Sequence, residues 1–176
     1  DLRIIPEKRT IDGIIEKIEC IASILDIAER SDAIISKKLE PHIKTIVKNR
    51  KKIVKKGVKI MLVLNMQSSS IIVAGSKTSG SGFIDLIGGE NIFNSFEGWK
   101  PVNAEAIIEL NPDYIIVPQR NVHKGLDVTK IADSELFKNT TAGKNKNFIF
   151  DDAMAITGFG PRTINSVLNA TEFILK

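Results

Sequence analysis

The chain has 176 residues, 43% of them hydrophobic and 26% charged, which is the balance of a folded globular unit and excludes a disordered segment. No apolar run is long enough to cross a bilayer, and a single cysteine, Cys20, excludes an intramolecular disulfide. The net charge of +4 comes mainly from one run, Lys48-Asn-Arg-Lys-Lys-Ile-Val-Lys-Lys56, which no aromatic residue interrupts and which ends a helical pattern, so a solvated helix end is expected and no nucleic-acid partner.

In chain order, Leu2-Arg-Ile-Ile-Pro6 reads as the end of a strand. Thr10 or Asp12 then starts a helix with apolar residues at Ile14, Ile15, Ile18, Ile21, Ala22 and Leu25; Cys20 lies within it and is expected to be a small buried residue. A second helical pattern runs over residues 28–55, with Pro41 inside it. Proline lacks a backbone donor and clashes with the preceding turn, so a kink or break is expected there. After Gly57 the pattern changes to alternating strands and helices. Residues 58–65 form a continuous apolar run, as in a strand buried on both faces, and residues 69–74 are a second strand candidate. A short helix over 82–87 stops at Gly88-Gly89, and an irregular loop carrying Trp99 follows. Asn103 caps a helix over Ala104–Leu110, which Asn111-Pro112 ends. Residues 114–117 make the next buried strand, helical signal returns over 128–137, and 147–150 form a further strand. An amphipathic helix over Pro161–Leu175 closes the chain, with proline in its first turn.

This alternation argues an α/β class: an open, mostly parallel sheet with helices on both faces. Ligands of such sheets occupy the crevice beyond the carboxyl ends of the strands, here residues 65–70, 118–125 and 151–162. The opening strand end and two helices have no sheet before them, and a preceding lobe is therefore expected. The chain opens on Asp1 rather than Met, so the lack of an apolar leader carries no information about compartment.

Catalytic and metal patterns are weak. Gly75-Ser-Lys-Thr-Ser-Gly-Ser-Gly82 lacks the Lys-Ser/Thr pair of a phosphate loop, and its spacing also fails the dinucleotide pattern; a flexible Gly/Ser loop leading into a helix is the reading here. Ser68-Ser-Ser70 is not a nucleophile elbow, and no enzyme activity is expected. Of the two histidines, His42 reads as a surface residue. His123 lies in a loop beyond a strand end, where a ligand could reach it, but lacks a second ligand at metal spacing. Asp151-Asp152 read as turn residues capping the segment that follows. Glu105 suits the first turn of its helix, whereas Arg162 gains nothing from the dipole at a helix start, a reason to look for another role.

Residues 86–117 and the run Gly158-Phe-Gly-Pro-Arg-Thr163 resemble the C-terminal lobe of the substrate-binding proteins that serve bacterial ABC importers for haem, corrinoids and ferric siderophores. The resemblance implies a second lobe over residues 58–176, with residues 1–57 holding the end of the first lobe and the connecting helices, and the N-terminal lobe absent. Pro41 departs from the continuous connecting helix of that class. By the same resemblance, Pro101-Val-Asn-Ala-Glu105 makes Glu105 the residue that docks onto arginines of the membrane permease. The Gly158–Arg162 run is similar to the element of haem-binding members whose arginine faces the cleft. Arg162 would then meet a haem propionate or a ligating tyrosinate, with Phe159, Met154 and Ser69 lining the wall and the iron ligand supplied by the first lobe. These features imply a monomer, periplasmic or anchored on the outer side of the cytoplasmic membrane, that captures haem. A corrinoid or ferric siderophore is the alternative cargo. A nucleotide-using α/β enzyme is disfavoured by the broken phosphate loop, and a metal-cluster scaffold by the lone Cys20.

Overall fold

The structure is a computed structural model, and it describes residues 8–65, 71–119 and 127–176. The expected strand at the start of the chain lies outside these residues. Helix α1 (Ile11–Ile24) begins where Thr10 accepts the Gly13 N–H at 3.1 Å, leaving Asp12 in the first turn. Helix α2 (Ala28–Ile34) runs into α3 (Glu40–Lys56) through a π turn over Ile35–Leu39. Pro41 therefore meets the expected kink or break only in part: the helix continues, but its α pattern is interrupted by the π turn just before it. It sits in the first turn of α3, where an N–H is dispensable, and the wider π turn accommodates the lost bond. Gly57, at φ 60°, ends α3 in the left-handed conformation.

The sheet is built from β1 (Lys59–Asn65), β2 (Ile71–Ala74), β3 (Glu90–Asn91), β4 (Trp99–Val102), β5 (Tyr114–Gln119) and β6 (Phe148–Asp152). Its order is β4-β2-β1-β5-β6, with β3 pairing the start of β1. Strands β1, β3, β5 and β6 are mutually parallel, while β2 runs antiparallel to β1 and to β4. The stretch containing Trp99 is thus not all loop. Pro101 concealed β4 in the sequence, yet β4 is the edge strand, where a missing donor costs least.

Helices α4 (Ser79–Ile87), α5 (Ala104–Leu110), α6 (Val128–Ala132), α7 (Thr141–Asn145), α8 (Ala153–Thr157) and α9 (Pro161–Leu175) complete the fold. The helical signal expected over 128–137 yields only α6 followed by turns. Alternate residues of each strand face opposite cores. Ile60, Leu62, Ile116 and Ile149 join Ile14, Leu39, Ile46, Ile53, Phe83 and Ile164 on one side. Met61, Val63, Ile115, Val117 and Phe148 join Ile107, Ala132, Phe137 and Ala142 on the other. Helices α1 and α3 therefore share one hydrophobic core with the α/β unit. The pairing is sealed by a buried hydrogen bond from Asn49 of α3 to Thr171 of α9, 3.2 Å long.

The C-terminal half of α1 is covered less than its apolar spacing suggests: Ile21 and Leu25 are 45% and 60% exposed, and Cys20 is half-buried rather than buried. Ile14 and Ala22 alone carry the fully buried apolar stripe of this helix. Among the described residues no helix is long and apolar enough to cross a membrane.

Candidate functional site

The carboxyl ends of β1, β5 and β6 define one edge of the sheet, and β6 feeds directly into the segment with the most chemistry. Asp152 closes the strand and caps α8 by accepting the Ala155 N–H at 2.8 Å, while Asp151 accepts the Asp152 N–H at 2.7 Å. After α8 the chain turns through Gly158-Phe159-Gly160 and starts α9 at Pro161. Thr163 accepts the Gly160 N–H at 3.0 Å, which fixes the start of the helix.

Arg162 projects from this start. Its Nη1 lies 3.4 Å from Asp152 Oδ1, with the two side chains 69% and 32% exposed. An ion pair so open to water contributes little to stability. Met154, on α8, is 64% exposed. Phe159 sits otherwise: it is buried, and its ring packs so close to Gly82 of α4 that a Cβ there would lie 3.1 Å from it. Its backbone is left-handed at φ 47°, a conformation a bulky residue rarely holds without tertiary support. The phenyl ring is thus an anchor under the turn, not part of an exposed wall as expected.

Sequence reasoning missed Lys17. From α1 its ammonium donates to Gly158 O at 3.0 Å and reaches Phe159 O at 3.5 Å, clamping the turn that presents Arg162. A contact between residues so far apart in sequence leaves no local signal.

Glu105 stands in the first turn of α5, exposed, behind the Asn103 cap that accepts the Ala106 N–H at 3.1 Å. The strand register fixes its position. Asn65, at the carboxyl end of β1, pairs with Ile72, and the adjoining Ile71 pairs with Val102. Glu105 therefore stands at the same edge of the sheet as Arg162, although the two are far apart in sequence. Ser69 and His123 lie outside the described residues. His42 is half-buried, with Nδ1 2.8 Å from Asn165 Oδ1, so it joins α3 to α9 rather than standing free on the surface.

The Gly75–Gly82 segment is not a loop throughout. Thr78 accepts the Ser81 N–H at 3.0 Å and α4 begins at Ser79. A Cβ on Gly80 would lie 2.5 Å from Ala74 Cβ and 2.9 Å from the Trp99 ring, so the glycines let a helix approach the sheet. No group of three His, Cys, Asp or Glu side chains among the described residues is placed to hold a metal.

Two concavities occur away from Arg162's charged tip. One lies between α3 and α4, lined by Arg50, Val54, Asp85, Glu90 and Asn94. Arg50 Nε donates to Asp85 O at 3.1 Å, and partial desolvation raises the Asp85 carboxyl above its ordinary range, against the pull of Arg50. The other is apolar, between α1, α2 and the Gly160-Pro161 turn. Arg162 lines neither of them.

The sequence profile described as periplasmic binding protein matches residues 4–155. The chain belongs to the periplasmic binding protein family. Among curated proteins, it is 23% identical over 168 residues to an uncharacterized ABC transporter substrate-binding lipoprotein, YvrC, of Bacillus subtilis strain 168, covering 96% of this chain and 52% of that one. Among solved structures, the periplasmic haem-binding protein HutB of Vibrio cholerae superposes with a TM-score of 0.80 at 24% identity, over 98% of this chain and 67% of that one. The periplasmic vitamin B12 binding protein BtuF of Vibrio cholerae gives a TM-score of 0.71 at 17% identity, over 97% and 63%. Identities this low establish the shared fold. The chain spans about half the length of the curated relative and about two thirds of these structures.

Proposed function

We propose that the chain is the C-terminal lobe, with connecting helices over residues 1–57, of a substrate-binding protein that captures haem and delivers it to an ABC permease outside the cytoplasmic membrane. The observation that carries this reading is the shared sheet edge of Arg162 and Glu105, one an exposed cation and the other an exposed carboxylate at a helix start. A guanidinium held at a cleft edge suits a propionate or a phenolate, since it donates in a planar fork and stays charged. The apolar Met154 offers a soft surface to a macrocycle. Axial ligation of the iron falls to a residue elsewhere in the full-length protein.

Docking is assigned to Glu105. A single exposed carboxylate adds little affinity, so it orients the encounter with a cationic permease surface rather than driving it. The Glu105→Ala protein is expected to bind ligand normally while uptake by the assembled importer falls.

The deciding experiment is a haemin titration of the full-length protein, followed by visible absorbance, with residues 1–176 titrated alongside. A saturable Soret band in the full-length protein and little in the shorter chain supports capture between two lobes. An equal band in the shorter chain moves the iron ligand into it, and His123 becomes the residue to substitute. No band in either, with saturable binding of a corrinoid or ferric siderophore, replaces haem by that cargo.

A further inference from the structure

Helix α3 carries Lys44, Lys48, Lys51, Lys52, Lys55 and Lys56, and all six are exposed. At 3.6 residues per turn they fall within about 140° of the helix circumference and extend about 18 Å along its axis. Ile46, Asn49 and Ile53 are buried, and Asn49 is bonded to Thr171, so α3 cannot roll and the lysines stand as a fixed ridge. Exposed Lys59 follows at the start of β1. No aspartate or glutamate occurs anywhere in residues 41–84. Among the described residues, none of the six lysines pairs with a carboxylate.

Folding alone does not account for the ridge. The helix dipole favours cations only in the last turn, which covers Lys55 and Lys56. The spacings Lys44 to Lys48, Lys48 to Lys52, Lys51 to Lys55 and Lys52 to Lys56 put like charges four residues apart, which costs helix stability. We propose that the ridge is an electrostatic docking surface for the anionic face of a phospholipid bilayer. Lysines are compact point charges on flexible stems, suited to many headgroup phosphates rather than to one bidentate partner. The array is linear and open, as a flat surface requires. No aromatic residue lies within α3 to stack on a base, while Val47 and Val54 are exposed on its flank and can enter the headgroup region. This inference does not depend on which ligand occupies the cleft.

The test is co-sedimentation of the 176-residue chain with vesicles of equal parts phosphatidylglycerol and phosphatidylcholine, and with pure phosphatidylcholine. Binding is expected only to the anionic vesicles and is expected to fade as salt is raised. The triple variant Lys48→Gln, Lys51→Gln, Lys55→Gln keeps good helix formers and is expected to bind on the order of a hundredfold more weakly. The corresponding triple Lys→Arg variant keeps the charge and is expected to bind as the parent does. A control, Lys130→Gln, Lys138→Gln, Lys144→Gln, removes the same charge elsewhere and is expected to stay within a few-fold of the parent. The proposal is overturned if the parent ignores anionic vesicles, if the Arg variant loses binding, or if the control loses as much as the ridge variant. Tighter binding to duplex DNA than to anionic vesicles also overturns it.

Discussion

Two glycine-bearing turns, each opening a helix, look alike in the sequence and do opposite work. Gly75 ahead of α4, with Gly80 and Gly82 in its first turn, brings backbone against Phe96, Ala74 and the side chains of Arg9 and Phe159, and the segment from Gly80 to Ile84 is buried. Before α9, Gly158-Phe159-Gly160 puts one ring into the core, accepts the Lys17 ammonium on its carbonyls and leaves Arg162 exposed. Glycine spacing is common to both. What separates them is the destination of the neighbouring side chains: the first turn spends them on packing, while the second anchors one residue so that another faces outward.

The comparison is most sharply broken at Phe159. Its ring is the anchor, so Phe159→Ala is expected to cost about 3–5 kcal/mol in urea unfolding, as for other buried aromatic truncations. A loss typical of a surface site would return Phe159 to the exposed wall. Next is Gly80→Ala, whose new methyl has no room beside Ala74 and Trp99; a loss of about 1–3 kcal/mol is expected by the same assay. Stability gained instead, as for glycine replacement in an unconstrained helix, would make that turn as permissive as its composition suggests.

Arg162→Ala is expected to leave unfolding within about 0.5 kcal/mol of the parent. In the full-length protein it should weaken retention of a carboxylate-bearing ligand at least about tenfold, measured by ligand titration, as for loss of a charge-assisted hydrogen bond. Unchanged affinity would remove its role. The smallest effect belongs to Asp85, away from both turns. Its carboxyl is raised in the folded state, so it binds its proton more tightly when folded, and ionising it as pH rises costs stability. Asp85→Asn should therefore raise the thermal midpoint slightly at neutral pH and leave it unchanged at acid pH, where the parent carboxyl is protonated.

Much of this architecture is legible residue by residue. The apolar run of β1, the Asn103 cap, the Asn111-Pro112 stop and Pro161–Leu175 are each local features, set by side chains within a few positions of one another. The start of α4 was hidden because glycine lowers helix propensity, and the close approach that requires it is visible only once Ala74 and Trp99 are in place. Strand β4 was hidden by Pro101, which is tolerable only because that strand lies at the edge.

The sequence by itself determined the longer strands and helices, the α/β class and the resemblance that singled out Glu105 and Arg162, but not the short elements β3, β4, α7 and α8. Only the tertiary structure decided that these two share one edge of the sheet, that Phe159 points inward, and that Lys17 and Asp152 bracket the turn presenting Arg162. Local patterning follows from backbone geometry and the period of apolar residues. The meeting of residues 17, 105, 152 and 159–162 with their neighbours follows from strand register and core packing, which bring distant segments together and leave no short-range signature in the chain.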